Sequence, residues 1–296
     1  MTTTVVVTGA LGGAGRWLVD RLKTEYEVVA LDRQLPAVDT PEGVNFQKID
    51  LTRQGTVWEA VLDVDPSTVV HLGNIPNEEH HAGGEVYENN AVSTFHVLEA
   101  AGRAGADIVW ASSETVYGTH WPEPMLPEYL PVDEAHPVAP WNAYETSKLA
   151  GEAAAQRVSN AFDVSVTSMR LSWIQYPGRY QITPIRESFD FESAGRFGNF
   201  WSYVDIRDVV SFVEAAIDAA PEGHEVYNVF GPDNFLGVDT ADAIEAGYGS
   251  LPDQCSLEGD ESAFTNAKAA AMLDWEPHHS WRGATDEELS APSFDD

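Results

Sequence analysis

A tyrosine and a lysine four residues apart form the first pair in this chain that suggests chemistry. Tyr144 and Lys148 lie in the segment WNAYETSKLAGE, and Lys148 is one of only four lysines in the sequence. At positions i and i+4 of a helix two side chains share a face, so the ammonium can lie near the phenol. A cation lowers the tyrosine pKa from its ordinary value of about 10. The pair predicts a tyrosine base, although an exposed helix face without chemistry remains the alternative.

A glycine-rich segment near the N-terminus predicts a dinucleotide site. Gly9, Gly12 and Gly15 occur in TGALGGAG, directly after a strand-like run and at the start of a helical pattern. Glycines there permit a tight turn, the approach of the backbone to a pyrophosphate, and close packing of helix on strand. The alternative is an ordinary glycine-rich turn. Asp32 favours the first interpretation, because a carboxylate at the end of the second strand can bind an adenosine ribose.

The cofactor that this arrangement predicts is NAD. The carboxylate of Asp32 repels the 2′-phosphate of NADP, whereas Arg33 beside it leaves NADP possible. A tyrosine base next to a nicotinamide is suited to hydride transfer, and the positive charge of the oxidised ring also favours the phenolate. Lys148 can hydrogen-bond the nicotinamide ribose as well.

The elements that must position these residues alternate along the chain. Strand-like runs cover 4–8, 27–32, 44–49, 68–72, 107–112, 164–170 and 225–230, and helical patterns cover 13–24, 54–63, 87–103, 142–161 and 206–219. The strands are continuously apolar, so we expect an α/β fold, a doubly wound parallel sheet of Rossmann type with a small C-terminal substrate-binding part.

The predicted division assigns 1–170 to the NAD-binding Rossmann domain, which carries the Ser-Tyr-Lys site described below. The small substrate-binding part takes 171–296, of which 204–230 returns to the Rossmann core. Two stretches without periodicity, 121–141 and 174–199, follow strands whose carboxyl ends border the active crevice of such a sheet. We expect both to cover the site.

Composition excludes several classes of function. The chain has 48 acidic and 16 basic residues and a net charge of −32, a balance that resembles the proteins of halophiles. Such a field opposes binding to nucleic acid or anionic membranes. The single cysteine, Cys255, excludes an internal disulfide and multi-cysteine zinc patterns. The histidine pairs at 80–81 and 278–279 lack metal-ligand spacing, so no metal is expected.

We expect a cytoplasmic protein. Met1 runs almost directly into the first strand without a signal peptide, and no stretch approaches the about 18 apolar residues of a membrane span.

Taken in order, the motifs resemble those of the extended short-chain dehydrogenases/reductases, also called the NAD-dependent epimerase/dehydratase family. The resemblance covers about residues 4–230 and includes the glycine loop, Asp32, the Asp-Leu and His-Leu-Gly segments after the third and fourth strands, NNAVSTFHVLEAA, SSETVYG, YETSK, Arg170 and WSYVDIRDVV. It implies the roles of further residues. Asp50 and Leu51 would flank the adenine, and Leu72 and Gly73 would line the cofactor.

The same resemblance implies more about the site and the assembly. Asn90, on the cofactor side, would support the geometry of the active-site helix. Ser113 falls on the catalytic Ser/Thr position and would hydrogen-bond the reacting oxygen of the substrate. A homodimer would form through the helices at 88–103 and 142–160.

Departures from the family's patterns indicate the reaction. The dehydratases of this family resemble one another in an Asp-Glu pair before Val-Tyr-Gly. This chain has Glu114 and Thr115 there, so elimination of water from the sugar is not expected. Nucleotide-sugar epimerases carry an asparagine where this chain has Trp173. They also have a longer span than the 34 residues from Arg170 to Val204. The shortened nucleotide-binding part is similar to that of the dehydrogenases of free sugars.

Side chains expected to contact the substrate are mostly polar or aromatic: Asn74, Glu114, Trp173, Arg179 and Trp201. Aromatic faces stack on the apolar face of a pyranose, and an arginine can hold a carboxylate or phosphate. The alternatives are core or loop packing for Trp173 and Trp201, and a surface ion pair for Arg179.

The predicted function is oxidation of a free aldose or uronate at C1 to the lactone, with NAD as hydride acceptor. Tyr144 would remove the hydroxyl proton, Ser113 would orient the oxygen, and Lys148 would lower the tyrosine pKa. Two alternatives remain: an NAD-dependent nucleotide-sugar 4-epimerase, and a catalytically silent NAD-binding family member.

Overall fold

The computed structural model describes residues 3–284 except 38, 119–125 and 194, together with 287, 289, 292 and 294. Within these residues seven parallel strands form one sheet: β1 (Thr4–Thr8), β2 (Glu27–Asp32), β3 (Val44–Lys48), β4 (Thr68–His71), β5 (Asp107–Ser113), β6 (Val166–Leu171) and β7 (His224–Val229). Their spatial order is β3-β2-β1-β4-β5-β6-β7. The predicted doubly wound parallel sheet is confirmed, and its order reverses between β1 and β4, where such sheets bind ligands.

Helices cover both faces of the sheet. The longer ones are α1 (Gly13–Leu22), α2 (Gln54–Leu62), α3 (Gly83–Ala104), α4 (Ala143–Phe162), α5 (Ile206–Ala219), α6 (Thr240–Tyr248) and α7 (Ala267–Leu273), and short helices occur at Thr183–Glu187 and Trp281–Ala284. Apolar residues of α1, α5 and α7 pack on one face, and those of α2, α3 and α4 on the other. Alternate residues of β1 point to opposite faces of the sheet. Val5 and Val7 pack in the first core, with α1, α5 and α7, and Val6 packs in the second, with α2, α3 and α4.

A third hydrophobic cluster lies among the segments that follow the carboxyl ends of β5, β6 and β7. It is rich in aromatic residues, among them Tyr117, Phe200, Trp201, Phe235 and Phe264. Two short parallel strand pairs accompany it, Ile174–Gln175 with Val204–Asp205 and Tyr129–Leu130 with Gln254–Cys255. Because this cluster takes residues from both sides of position 170, the division of the chain there stays a prediction.

Of the two stretches expected to cover the site, the first falls partly on residues 121–125, which lie outside the described residues. Its described part, 126–141, contributes to the third cluster through Leu126, Leu130, Val132 and Val138. None of the helices in the described residues has both the length and the apolar character needed to cross a membrane.

Candidate active site

The glycine loop joins β1 to α1 in a shape that only small residues allow. Gly9 has a φ of +66°, and a Cβ on it would lie 2.8 Å from the Cα of Gly73. A Cβ on Gly15 would lie 2.0 Å from the carbonyl oxygen of Gly9. The N–H of Gly12 donates to that same oxygen at 3.0 Å. The loop therefore lies close to the end of β4 and leaves the N-terminus of α1 open for a ligand.

A cavity of about 290 Å³ lies beside this loop. It gathers most of the predicted cofactor residues: Gly9, Gly12, Asp32, Arg33, Asp50, Leu51, Leu72 and Gly73. The carboxylate of Asp32 accepts the N–H of Leu11 at 3.0 Å, which fixes it beside the loop. Hydrogen bonds from Thr52 hold the pKa of Asp50 below its usual range. This cavity has the chemistry of an adenosine site, with carboxylates for the ribose and apolar walls for the base.

Asn90 lies outside the walls of both cavities at the site. Its side chain, 1% exposed, accepts the N–H of Ile75 at 2.8 Å and donates to the carbonyl oxygen of Ile75 at 2.9 Å. Its assignment to the cofactor side stays a prediction. Asn90 anchors to α3 the segment that follows β4.

A second cavity of about 500 Å³ adjoins the first and shares Leu72 and Asn74 with it. Its walls bring together the three predicted catalytic residues, Ser113, Tyr144 and Lys148. Ser113 ends β5, and the other two lie in the first two turns of α4. The chain thus places a hydroxyl, a phenol and an amine next to the cavity beside the glycine loop.

Local capping fixes where α4 begins and hence where Tyr144 lies. The side chain of Asn142 accepts the N–H of Glu145 at 2.9 Å, and the carboxylate of Glu145 accepts the N–H of Trp141 at 2.5 Å. This is a reciprocal cap of the kind that starts helices. Glu78, from the segment after β4, accepts the N–H of Tyr144 at 3.2 Å. The tyrosine is therefore held in the first turn from two directions.

The pKa of Tyr144 is shifted opposite to the prediction. Burial raises it to about 12, the charges of Glu114 and Glu145 raise it as well, and only a hydrogen bond with Ser113 lowers it. The sequence predicted that the neighbouring lysine would dominate the shift of the tyrosine pKa. That prediction did not include the cost of burying a phenolate.

Lys148 shares the helix face of Tyr144 as predicted, but its amine bonds elsewhere. Its Nζ donates to the carbonyl oxygen of Ala111 in β5 at 2.7 Å and lies 5.5 Å from the centre of the Tyr144 ring. The side chain is buried, and burial lowers its pKa to about 7. The lysine therefore links α4 to β5 directly beneath the cavity.

Three of the predicted substrate residues, Asn74, Glu114 and Trp173, line the second cavity. Glu114 is 3% exposed, and burial followed by the charge of Glu145 raises its pKa to about 8. At neutral pH this carboxyl is mainly protonated, so it can donate as well as accept a hydrogen bond.

The other two, Trp201 and Arg179, lie elsewhere. Trp201 is 2% exposed and packs in the third cluster, nearly parallel to Phe197 with ring centres 6.4 Å apart. Arg179 and Arg16 line a separate cavity of about 290 Å³ at the start of α1. Both predicted substrate contacts are corrected, the tryptophan because the aromatic cluster buries it and the arginine because its loop turns toward α1.

Two residues that sequence reasoning missed, Ser172 and Asn199, also line the second cavity. Ser172 follows β6, and the rule that parallel strands meet at their carboxyl ends could have identified it. Asn199 ends an irregular loop, just before two residues of positive φ, Phe200 (49°) and Trp201 (56°). Nothing in its sequence neighbourhood indicated that position.

The histidine pairs take part in ordinary contacts. His81 lies 3.2 Å from Glu85, and the side chain of His279 bonds Asp208 at 2.6 Å. In the part of the chain that the structure describes, no three His, Cys, Asp or Glu side chains are grouped to hold a metal.

Comparison with known proteins gives the chain a family context. The model of the NAD dependent epimerase/dehydratase family matches residues 5–229. The chain is 28% identical over 197 residues to an L-arabinose 1-dehydrogenase (NAD(P)(+)) of Haloferax volcanii, covering 64% of this chain and 72% of that protein. It is also 28% identical over 256 residues to a uronate dehydrogenase of Pseudomonas putida, covering 84% of this chain and 85% of that one.

A solved structure shows the same fold. The UDP-glucose 4-epimerase of Thermus thermophilus in complex with NAD superposes with a TM-score of 0.69 at 21% identity, covering 96% of each chain.

Proposed function

The chain belongs to the NAD-dependent epimerase/dehydratase family, and from this we propose that it is an NAD-dependent dehydrogenase that oxidises a free sugar at C1 to the lactone. One observation carries the proposal. The cavity that holds Ser113, Tyr144 and Lys148 adjoins the cavity beside the glycine loop and shares Leu72 and Asn74 with it. A sugar in the first would therefore lie next to the nicotinamide end of a cofactor bound in the second.

The residues present fit NAD. Side chains at Gly9 and Gly15 would collide with neighbouring backbone, so the loop keeps the bare surface that a pyrophosphate requires. Asp32 would bind the adenosine ribose, which favours NAD, and Arg33 in the same wall leaves NADP use open. When bound, the oxidised nicotinamide supplies the hydride acceptor and a positive charge that lowers the pKa of a nearby phenol.

The side chains of the second cavity divide the remaining work. Tyr144, as phenolate, takes the proton of the C1 hydroxyl, while Ser113, hydrogen-bonded to the phenol, orients that oxygen. Lys148 supports the tyrosine from below and would bind the nicotinamide ribose. Loss of the hydroxyl proton and of the hydride from C1 of the ring form leaves the lactone.

A free sugar, rather than a nucleotide-sugar, is supported by the short chain between β6 and α5. The pairing of Ile174–Gln175 with Val204–Asp205 closes this segment on itself. In its described part the segment forms only the helix Thr183–Glu187 and a single turn at Phe191–Ser193. Little chain is left to hold a nucleotide. The names of the Haloferax and Pseudomonas relatives agree with this substrate class.

The second candidate is an NAD-dependent nucleotide-sugar 4-epimerase. It is favoured by the family's name, and the same three catalytic residues and the same cofactor site would serve it. An epimerase returns the hydride to its substrate and produces no net NADH, which separates the two reactions.

We also propose a homodimer formed through α3 and α4. These helices pack against each other, and α3 leaves Tyr87 (41% exposed) and Phe95 (37% exposed) at the surface.

Replacement of the base tests the assignment of Tyr144. In Tyr144→Phe we expect NADH formation to fall about 1,000-fold, because the proton acceptor is removed while the ring remains. The dissociation constant for NAD, measured by titration calorimetry, should stay unchanged. Tyr227→Phe is the matched control, since Tyr227 is fully buried in the sheet and outside both cavities. Retained turnover in Tyr144→Phe, or loss of NAD binding, would mean that this tyrosine is structural.

A further inference from the structure

Three uncharged side chains in the wall of the second cavity each have an oxygen without a hydrogen-bond partner among the described residues. They are Oδ1 of Asn74, Oγ of Ser172 and Oδ1 of Asn199. Ser172 is 5% exposed and Asn199 is 2% exposed. Buried polar atoms almost always have a partner, so three unpaired oxygens around one cavity point to a ligand that supplies it.

The hydrogen bonds that these amides do make define what the ligand must offer. Nδ2 of Asn74 donates to the carbonyl oxygen of Leu72 at 2.8 Å, and Nδ2 of Asn199 donates to that of Ser202 at 2.8 Å. Each amide already donates one hydrogen bond to the backbone, whereas its acceptor oxygen has no partner among the described residues. Partners of these oxygens must therefore donate, as sugar hydroxyl groups do.

The charge of the cavity wall leads to the same conclusion. All 16 lysines and arginines belong to the described residues, and Lys148 is the only one in this wall. Its amine already donates to Ala111 and belongs to the proposed catalytic set. Arg179 lies in the cavity at the start of α1. A carboxylate or phosphate on the sugar brings only acceptors, which cannot pair with the amide oxygens of Asn74 and Asn199, and this wall holds no further cation to offset its loss of hydration.

On the basis of the proposed function, we propose that the substrate is a neutral, unphosphorylated sugar whose hydroxyl groups are bound by Ser172, Asn74 and Asn199. The carboxyl of Glu114 extends this polar wall. Uronates and sugar phosphates with the same ring configuration as that sugar are excluded, because the cavity wall has no free cation to pair with their negative charge.

Sugars that differ only at C6 test the substrate class. We compare D-galactose with D-galacturonate, and D-glucose with D-glucuronate and D-glucose 6-phosphate, measuring kcat/KM from NADH formation in concentrated KCl. Where the enzyme oxidises a sugar of either set, kcat/KM for the neutral sugar should exceed that for its anionic counterpart by at least about 100-fold. Equal or faster oxidation of the anionic member overturns this inference and leaves the proposed function standing. No NADH from any free sugar contradicts the proposed function itself.

Removal of one hydroxyl tests the binding residues. In Ser172→Ala we expect kcat/KM for the neutral sugar to fall about 3- to 10-fold, mainly through KM, because one uncharged hydrogen bond is lost. The NAD dissociation constant should stay unchanged and the melting temperature should not fall, since this hydroxyl has no partner within the described protein.

Thr167→Val is the matched control for that variant. Thr167 lies in β6, is 1% exposed, and its hydroxyl also has no partner among the described residues, but it is outside the cavity wall. Its replacement should leave kcat/KM unchanged. An unchanged kcat/KM in Ser172→Ala, or a lower melting temperature with weaker NAD binding, overturns the assignment.

Discussion

Burial, and after it the charges of two glutamates, raise the pKa of the tyrosine that the proposed reaction needs as a base. The pKa of Tyr144 lies at about 12, with contributions from Glu114 and Glu145. A base of raised pKa loses its proton only at higher pH, so the rate of sugar oxidation should increase as pH rises through neutrality. The positive charges expected beside the phenol in the complex act in the opposite direction and bring the rise toward lower pH.

Glu114 links this chemistry to stability. Its pKa is raised from 4.5 to about 8, so the folded protein keeps a proton that the unfolded chain has already lost. Stability due to this group therefore falls as pH increases from about 4.5 to about 8. Glutamine does not ionise, so Glu114→Gln should melt at a higher temperature than the wild type at pH 9 (about one unit above that pKa) and lose this advantage at acid pH. Thermal melts across pH in constant KCl measure the difference.

Glu42→Gln makes the same change of charge at an exposed position and serves as the control. Its melting temperature should differ from that of the wild type by a similar amount at each pH. If the Glu114 variant shows the same flat difference, its carboxyl is not held protonated by the fold.

For single residues, the sequence predicted which side chains belong to the candidate site better than it predicted how deeply they are buried. Spacing indicated Tyr144 and Lys148, the family resemblance added Ser113, and the structure places all three in one cavity wall. The direction of the Tyr144 pKa shift did not follow, because burial depends on segments after β4 and β6 whose paths carry no periodic signal. Arg179 and Trp201 were misplaced for the same reason.

At the scale of elements, a buried ion pair joins the active-site helix to the sheet. Arg170 of β6 bonds Glu152 of α4 through Nη2 at 2.8 Å and Nε at 3.0 Å, and Ser112 of β5 donates to the same carboxylate at 2.7 Å. Both charged residues are less than a tenth exposed. The pair fixes α4 relative to β5, and so fixes Tyr144 relative to Ser113.

Breaking this pair should cost far more than breaking a surface pair. In Glu152→Gln we expect the free energy of unfolding to fall by about 3–5 kcal/mol, because the guanidinium of Arg170 stays buried without its counter-charge. Glu25→Gln removes a partner of Arg21 at an exposed site and should cost less than about 1 kcal/mol. Urea unfolding in constant KCl measures both. Equal losses would mean that the buried pair does not hold α4 to the sheet.

Strong patterns predicted elements well and weak ones poorly. The bounds of β1, β2 and α5 are those predicted, and other predicted elements differ by one to four residues. The largest difference is the start of α3, where Gly83 and Gly84 are poor helix formers yet lie in the helix. The helices α6 and α7 were not predicted, because their stability depends on packing against the third cluster and the first core rather than on a long periodic pattern.

For the whole molecule, the charge of −32 makes stability depend on salt. Repulsion among the acids opposes the compact state and is screened as the Debye length falls from about 10 Å at 0.1 M salt to about 3 Å at 1 M. We expect the urea midpoint and the melting temperature to rise between about 0.1 M and 2 M KCl. A midpoint that stays constant or falls over this range would contradict a stability limited by self-repulsion.

The architecture of the whole could be predicted because strand–helix alternation restricts the topology to few choices. The third cluster could not, since it assembles Tyr117, Trp201, Phe235 and Phe264 from segments far apart in the chain. Trp173 and Phe197 of the second cavity pack against that cluster. The family therefore followed from the sequence, while the wall of the cavity required the structure.

Formation of NADH from a free sugar tests the central claim most directly. The protein is incubated in concentrated KCl with NAD⁺ and a panel of free aldoses and uronates, and the absorbance of NADH is followed. We predict that at least one free sugar yields one NADH for each lactone formed, and that Tyr144→Phe lowers the rate of NADH formation about 1,000-fold. No NADH from any free sugar, together with interconversion of a UDP-sugar without net NADH, would contradict the account.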